Sequence, residues 1–255
     1  MRDNYFDFIS RNSVYINNDL QKKIKEKTIF FAGCGLGSVI AESAIRTGFS
    51  RFKLIDGDNV DSSNLNRQYY FRKNIGKNKA QSLKDNLKMI NPSISIKHFT
   101  YFINDENIDK LIEDVDFLIN TVDLNDTYFQ IIKKAISKDI PVLCPFNVGF
   151  GGIVLIFNKK SYRPNQIWGV SKIKSSNDFY LKLLRSLKNY KIPKYLHSKI
   201  ADIFALADKE GYYPQLSIGA SIVSSITLTA IIKIINREKV ILAPKPLHID
   251  SYSLK

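Results

Sequence analysis

Short apolar runs alternate with stretches of helix-like spacing along most of the chain, and polar, glycine-bearing turns separate them. Residues 17–26 (NNDLQKKIKE) read as a short polar helix, and 28–32 (TIFFA) as a buried strand running into the turn Gly33-Cys34-Gly35-Leu36-Gly37-Ser38. A helix is expected over 38–47, followed by a second apolar run at 52–55 (FKLI) that Asp56-Gly57-Asp58 stops. Beyond a polar loop the spacing predicts a helix over 77–91, a strand over 94–99, a helix over 107–113 and a strand over 116–120 (DFLIN). Residues 128–137 read as helical, 141–144 as a strand, and 152–157 as a further strand with room for an antiparallel partner. Pro214-Gln215 introduces a long helix, rich in small residues, to about 235, and 247–249 can close the sheet. Strands that alternate with helices in this way predict an α/β fold with a doubly wound, mostly parallel sheet.

Composition keeps that picture and narrows it. With 255 residues, 44% of them hydrophobic and 24% charged, the chain has the balance of one globular domain, or of one with an appended piece, which excludes disorder and collagen-like repeats. The longest apolar stretch, 216–235, is broken by Ser and Thr and closed by Lys233, so no membrane span is expected. Asp3 and Asp7 sit where a secretory signal would be basic and then apolar, and a cytoplasmic location is expected. Cys34 and Cys144 lie apart in apolar segments without Cys-x-x-Cys spacing, against both a disulfide framework and a structural zinc site.

The net charge of +14 is local. Residues 159–200 hold eleven Lys/Arg against the single acid Asp178, a net of +10, and the other residues net only +4 from 27 basic and 23 acidic side chains. The same segment carries Trp168, Phe179, Tyr180, Tyr190 and Tyr195, with helix-like spacing over 179–187. It reads either as a solvated amphipathic insert or as a basic surface for an acidic protein or a nucleic acid.

Gly33, Gly35 and Gly37 stand between a strand and a helix start, where backbone N–H groups and the helix dipole can receive phosphate. Asp56, about twenty residues on at the end of the next strand, is placed to take a ribose hydroxyl. Those two features alone suit a dinucleotide such as NAD. The loop that follows, Asp58 to Gln68, does not: it brings a guanidinium and two amides close to the phosphate end, which hydride transfer does not need.

The string DGDNVDSSNLNRQ resembles the D-x-D-x-V-x-x-S-N-L-x-R-Q motif of the ThiF/MoeB/HesA-like adenylyltransferases of the ubiquitin-activating superfamily. Gly76-Lys77-Asn78-Lys79-Ala80 is similar to their G-x-x-K-A element, Ser10-Arg11-Asn12 to an N-terminal S-R-N segment, and Asn120-Thr121-Val122-Asp123 to a D-x-x-D strand end. The resemblance covers residues 8–157 strongly and 214–250 loosely. It implies a Rossmann-like, ThiF-type fold with a basic helical insert and a C-terminal helix, in a single domain. The divisions expected are an N-terminal arm and helix (1–27), a nucleotide-binding core (28–157), the basic insert (158–213) and a C-terminal helix with closing strand (214–255).

It further implies ATP and Mg²⁺. Asp56 and Asp58 would lie against the nucleotide, Arg67 and Lys79 would hold the triphosphate, and Asn64 and Gln68 would help to position it. Asp123 would hold the metal, and Arg11 would reach across a homodimer interface. The chemistry agrees: attack of a carboxylate on an α-phosphate joins two anions, so cations are the main device, and the ionised nucleophile needs no general base. The implied partner is a small ubiquitin-like or sulfur-carrier protein or a peptide, activated at its C-terminal carboxylate. An alternative is a tRNA-modifying relative that activates a carboxylate on a modified adenosine, with residues 159–200 contacting RNA. A binding module with a degenerate site is the third reading.

The chain departs from the family pattern in three places. It lacks the two Cys-x-x-Cys pairs of zinc-binding members, so no zinc is expected. Residues 158–213 contain no cysteine, so no enzyme thioester is expected, and Cys144 reads as a core residue. The turn is A-G-C-G-L-G-S rather than G-x-G-G-x-G. His98, His197 and His248 show no pairing pattern and read as structural.

Overall fold

The computed structural model describes residues 5–168, 177, 180 and 192–254. It opens with helix α1 (Tyr5–Phe8) and helix α2 (Asn18–Glu26), the latter capped by Asn17, whose side chain accepts from the Leu20 N–H. Strand β1 (Thr28–Ala32) and helix α3 (Leu36–Thr47) flank the glycine turn, and Gly48, at φ 105°, ends α3 in the left-handed region. Then come β2 (Arg51–Ile55), α4 (Lys79–Ile90), β3 (Ser95–Phe99), α5 (Ile108–Leu111), β4 (Phe117–Asn120), α6 (Asp126–Ser137), β5 (Val142–Val148) and β6 (Gly151–Phe157). Helices α7 (Pro164–Trp168), α8 (Lys194–His197), α9 (Ile200–Glu210) and α10 (Ser217–Ile235) precede the closing strand β7 (Leu247–Asp250).

The seven strands form one sheet in the order β3-β2-β1-β4-β5-β6-β7. The first five are parallel, β6 runs antiparallel to β5, and β7 antiparallel to β6. Both faces are covered, which is why the strands read as unbroken apolar runs. In β1, Ile29 and Phe31 belong to the core under α3 and α10, and Phe30 and Ala32 to the opposite core under α6. Lys53 interrupts the apolar pattern of β2; its ammonium donates to the carbonyls of Leu111, the last residue of α5, and of Glu113 just after it, and burial pulls its pKa down.

Three expectations change. The helix over 107–113 shrinks to the four residues of α5. Strand β5 does not stop at Cys144 but continues through Pro145 to Val148. Its pairing with β4 ends at Leu118↔Val142 and Ile119↔Leu143, so Pro145 stands beyond that ladder and its missing N–H removes no bond to β4. The 216–235 stretch forms one unbroken helix, long and apolar enough by length and composition to cross a membrane, yet it packs on α3, β5 and β6 in the core. Gly152 on β6 and Gly219 on α10 permit the approach: a Cβ at Gly152 would lie 2.0 Å from Val223 Cγ2, and one at Gly219 would lie 2.7 Å from the Gly149 carbonyl oxygen. Of the helix expected over 179–187 only Tyr180 is among the described residues, and Lys172, Lys174, Lys182, Arg185, Lys188 and Lys191 lie outside them.

Candidate functional site

Strand order reverses between β1 and β4, and an open parallel sheet carries its ligand crevice at the carboxyl ends of the strands at such a point. A crevice of about 680 Å³ lies there. Gly33 and Gly35 line it, together with Asp56, Asp58, Asn64, Arg67, Gln68, Lys79 and Asp123. Nine of the positions singled out in the sequence thus share one wall system.

The turn is locked from both sides. Gly33 has φ 93°, and a Cβ there would stand 2.8 Å from the Thr121 carbonyl oxygen at the end of β4. The Cys34 N–H donates to Asp56 Oδ2 at 2.7 Å, and the Asp58 N–H to Asp56 Oδ1 at 2.9 Å. Burial of Asp56 raises its carboxyl pKa, and those two N–H groups oppose the shift. Ser38 Oγ donates to the Gly35 carbonyl at 2.6 Å and accepts from the Tyr69 N–H at 2.9 Å, which fixes the 67–70 segment on the first turn of α3. No side chain caps that turn, so its leading N–H groups are available to an anion.

The cations come from two elements. Lys79 is the first residue of α4, whose cap Asn78 also donates to the Asp56 carbonyl at 2.9 Å. Its ammonium pairs with Asp58 Oδ2 at 3.0 Å, and the side chain as a whole is only 11% exposed. Arg67 closes the 3₁₀ turn Ser62–Asn66, which Asp61 caps through the Ser63 N–H while Asn64 Oδ1 returns to the Asp61 N–H. Burial lowers the Arg67 pKa, and its hydrogen bonds go to neutral oxygens of Gln215, Asn66 and Ser63. Gln68 lies against Gly35 with its Oε1 buried and unpartnered at the crevice wall. Asp123 is exposed beyond β4, and no cluster of three or more potential metal ligands exists among the described residues.

Two expected residues fall elsewhere. Gly37 does not line the crevice; a Cβ there would meet Thr121 Oγ1 at 3.1 Å and the Phe31 ring at 3.5 Å, so its smallness serves the packing of α3 on β1 and β4. Arg11 sits with Ser10–Asn12 at the other end of α3, where Asn12 Nδ2 donates to the Thr47 carbonyl at 3.1 Å. A helix of this length separates it from the glycine turn by roughly 18 Å. Within one chain Arg11 cannot reach the crevice.

The sequence did not announce Gln215, Asn147, Tyr180 and Tyr213, which also line the crevice. The Tyr180 and Tyr213 rings are in tilted contact, with centroids 4.4 Å apart and planes at 50°, and Phe146 meets Tyr180 edge-on. Asn147 donates from Nδ2 to the Leu216 carbonyl at 2.8 Å. The extension of β5 past Pro145 brings in Asn147, the return of the chain before α10 brings in Tyr213 and Gln215, and Tyr180 comes from the basic segment; none of these placements has a local signature.

Both cysteines are fully buried. Burial raises the Cys34 thiol well above its usual range and pushes Cys144 up to about 12. Iodoacetamide at roughly pH 8 is therefore expected to label neither thiol in the folded protein and both after denaturation, read by mass spectrometry. Rapid native labelling of Cys144 would reinstate it as a nucleophile candidate.

Residues 9–255 match the family described as the ThiF family. The chain is 31% identical over 151 residues to a probable molybdopterin-synthase adenylyltransferase of Gracilaria tenuistipitata var. liui, covering 57% of this chain and 42% of that protein. It is 28% identical over 137 residues to the tRNA threonylcarbamoyladenosine dehydratase of Bacillus subtilis (strain 168), covering 52% and 54%. The chain spans about half the length of these curated relatives. The crystal structure of E. coli MccB with MccA-N7isoASN superposes with a TM-score of 0.73 over 99% of this chain and 71% of that one, at 20% identity, a likeness of fold. With the glycine turn, the Asp56-to-Gln68 loop and Lys79 gathered on one crevice and the family match running from residue 9 to the last residue, the chain belongs to the ThiF family.

Proposed function

We propose that this chain is an ATP-dependent adenylyltransferase that activates a carboxylate, the C-terminus of a small sulfur-carrier or ubiquitin-like protein or of a peptide, as its acyl-adenylate. The observation that carries this reading is the convergence of Arg67 and Lys79 on one crevice with Asp56 and the uncapped start of α3. In the reaction a carboxylate oxygen attacks the α-phosphorus, the bond from that phosphorus to the bridging oxygen breaks, and pyrophosphate leaves. Arg67 and Lys79 hold charge that builds on the phosphoryl oxygens, and N–H groups of the turn hold the phosphate chain. Asp56 accepts from a ribose hydroxyl beside its two backbone donors, and the tilted Tyr180–Tyr213 pair forms an aromatic part of the same crevice wall.

Asp123 suits a metal that takes most of its ligands from phosphates and water, since Mg²⁺ needs only one or two carboxylates. Asp123 would hold such a metal, which would supply positive charge to offset that on the leaving pyrophosphate. Neither thiol is available for a covalent relay, so the acyl-adenylate passes directly to its acceptor. Arg11 would contribute only from a second copy of the chain.

A second reading keeps the site and changes the substrate to a carboxylate on a modified tRNA adenosine. The likeness to a tRNA-modifying relative and the +10 segment favour it. One experiment addresses both: pyrophosphate exchange into ATP with candidate carrier proteins, peptides and tRNA offered in parallel. Exchange dependent on one class names the substrate class; silence with every class, while the fold is intact, removes the adenylyltransferase reading.

A further inference from the structure

Arg67 is the crevice cation without an anionic partner: Lys79 pairs with Asp58, whereas no carboxylate among the described residues pairs with Arg67. Its guanidinium is nevertheless held on two sides. Nε donates to Gln215 Oε1 at 2.7 Å, and Nη1 donates to Asn66 Oδ1 at 2.7 Å and to the Ser63 carbonyl at 3.1 Å. Asn66 Nδ2 also donates to the Gln215 main-chain carbonyl at 3.3 Å, so the corner at 66–67 grips residue 215 through both its side chain and its backbone. Arginine offers only donors, which fixes the Gln215 amide with its oxygen toward Nε. Nη2 is left without a partner among the described residues, in a side chain that lines the crevice.

We infer that Gln215 is a positioning residue for the adenylation reaction: an acceptor that orients the Arg67 guanidinium toward the phosphates while leaving its positive charge uncompensated. The inference rests on the adenylyltransferase reading above and extends it to a residue 148 positions from Arg67 in the chain. Its physical content is the choice of a neutral acceptor. A glutamate of the same length would hold Nε at least as firmly, through a charge-assisted bond, but would place a negative charge against the cation that must meet an anion. Orientation and charge can therefore be separated by substitution at this one site. Because Gln215 lies directly before α10 and just after the basic segment, it also ties the position of Arg67 to the far end of the chain.

The test compares wild-type protein with Gln215→Glu and Gln215→Leu. Three readouts are taken: thermal unfolding, calorimetric affinity for ATP and for adenosine, and pyrophosphate-exchange kinetics with whichever carboxylate substrate supports exchange. Gln215→Glu should keep or raise the melting temperature, keep adenosine affinity within about twofold, and weaken ATP binding by at least about tenfold. Gln215→Leu should lower the exchange kcat by about tenfold, with a smaller rise in the KM for ATP, because the guanidinium loses its orientation and keeps its charge. A merely structural role predicts instead that stability, adenosine affinity and ATP affinity fall together in both variants, and that result overturns the inference. Wild-type ATP affinity retained in Gln215→Glu overturns it as well. A wild-type protein that binds no ATP and supports no exchange removes both this inference and the function it rests on, so the two failures are told apart by the wild type alone.

Discussion

Arg67→Ala is expected to reduce pyrophosphate exchange by about 10³-fold while leaving the far-UV spectrum and melting temperature close to those of the wild type. The size follows from what the side chain would meet. A cation aimed at a transferring phosphoryl group in a partly desolvated crevice acts on charge that develops in the transition state, and among the described crevice residues no second cation is free to replace it, since Lys79 is already 3.0 Å from Asp58. The stability cost is small because the three acceptors that Arg67 would abandon include the exposed residues Ser63 and Asn66, which water can satisfy. Lys79→Ala should lose as much activity for a complementary reason: it removes a cation and leaves the half-exposed Asp58 carboxylate facing the phosphates. The pair itself adds little stability, roughly 0–1 kcal/mol, because Asp58 is screened by water. The double variant should fall well short of the product of the two losses, as residues acting on one phosphoryl group do. Exchange above about a tenth of the wild-type rate in Arg67→Ala would take that residue out of the catalytic machinery.

The second large effect is on folding, and its sign runs against helix and strand propensity. Gly152→Ala and Gly219→Ala both replace glycine inside a regular element, where alanine ordinarily gains about 1 kcal/mol in a helix. Here each added methyl meets atoms that cannot retreat. At Gly152 the new carbon would sit 2.0 Å from Val223 Cγ2, on a stiff side chain with helix backbone behind it. At Gly219 it would sit 2.7 and 2.8 Å from the carbonyl oxygens of Gly149 and Gly151, so α10 must lift off the hairpin. Overpacking of this kind costs about 1–3 kcal/mol or more, and in a domain of this size each kcal/mol moves the melting temperature by about 2–4 °C. Each variant should therefore melt roughly 5–10 °C lower. Val223→Ala should restore much of the loss in Gly152→Ala, because it returns the volume at the contact, and should not rescue Gly219→Ala. An unchanged melting temperature in either single variant would show that the helix does not rest on the sheet at that distance.

The parts of this molecule that could be read from the sequence are those whose cause is local. The β1 run, the glycine turn and the loop from Asp56 to Gln68 each carry their reason within a few residues, and they assemble as expected. Gly37 belongs to the same turn, yet the neighbours that demand its smallness, Thr121 and Phe31, are far along the chain and leave no mark in the turn's own spacing. Pro145 reads locally as a strand terminator; that it is not one depends on where β4 ends. Gln215 is beyond sequence reasoning for the same kind of cause, since its partner lies across the fold and only the seating of α10 on α3, β5 and β6 brings the two together.

Beyond Leu143, β5 runs on without a neighbour on its β4 side. The Ser251 N–H donates to the Phe150 carbonyl, and the Ala243 N–H to the Ile156 carbonyl, which sets the even-numbered residues of β6 toward β7. Their β5 partners across the ladder, Pro145 opposite Val154 and Asn147 opposite Gly152, consequently turn their backbone groups away from β6. One border of the crevice is thus main chain: two carbonyls and a single amide that belong to no side chain. Alanine scanning leaves these main-chain groups untouched, so a map of the crevice drawn from side-chain truncation will miss them along β5. Amide-to-ester replacement at Asn147, which deletes that one donor and keeps every side chain, is the chemistry that can fill that gap.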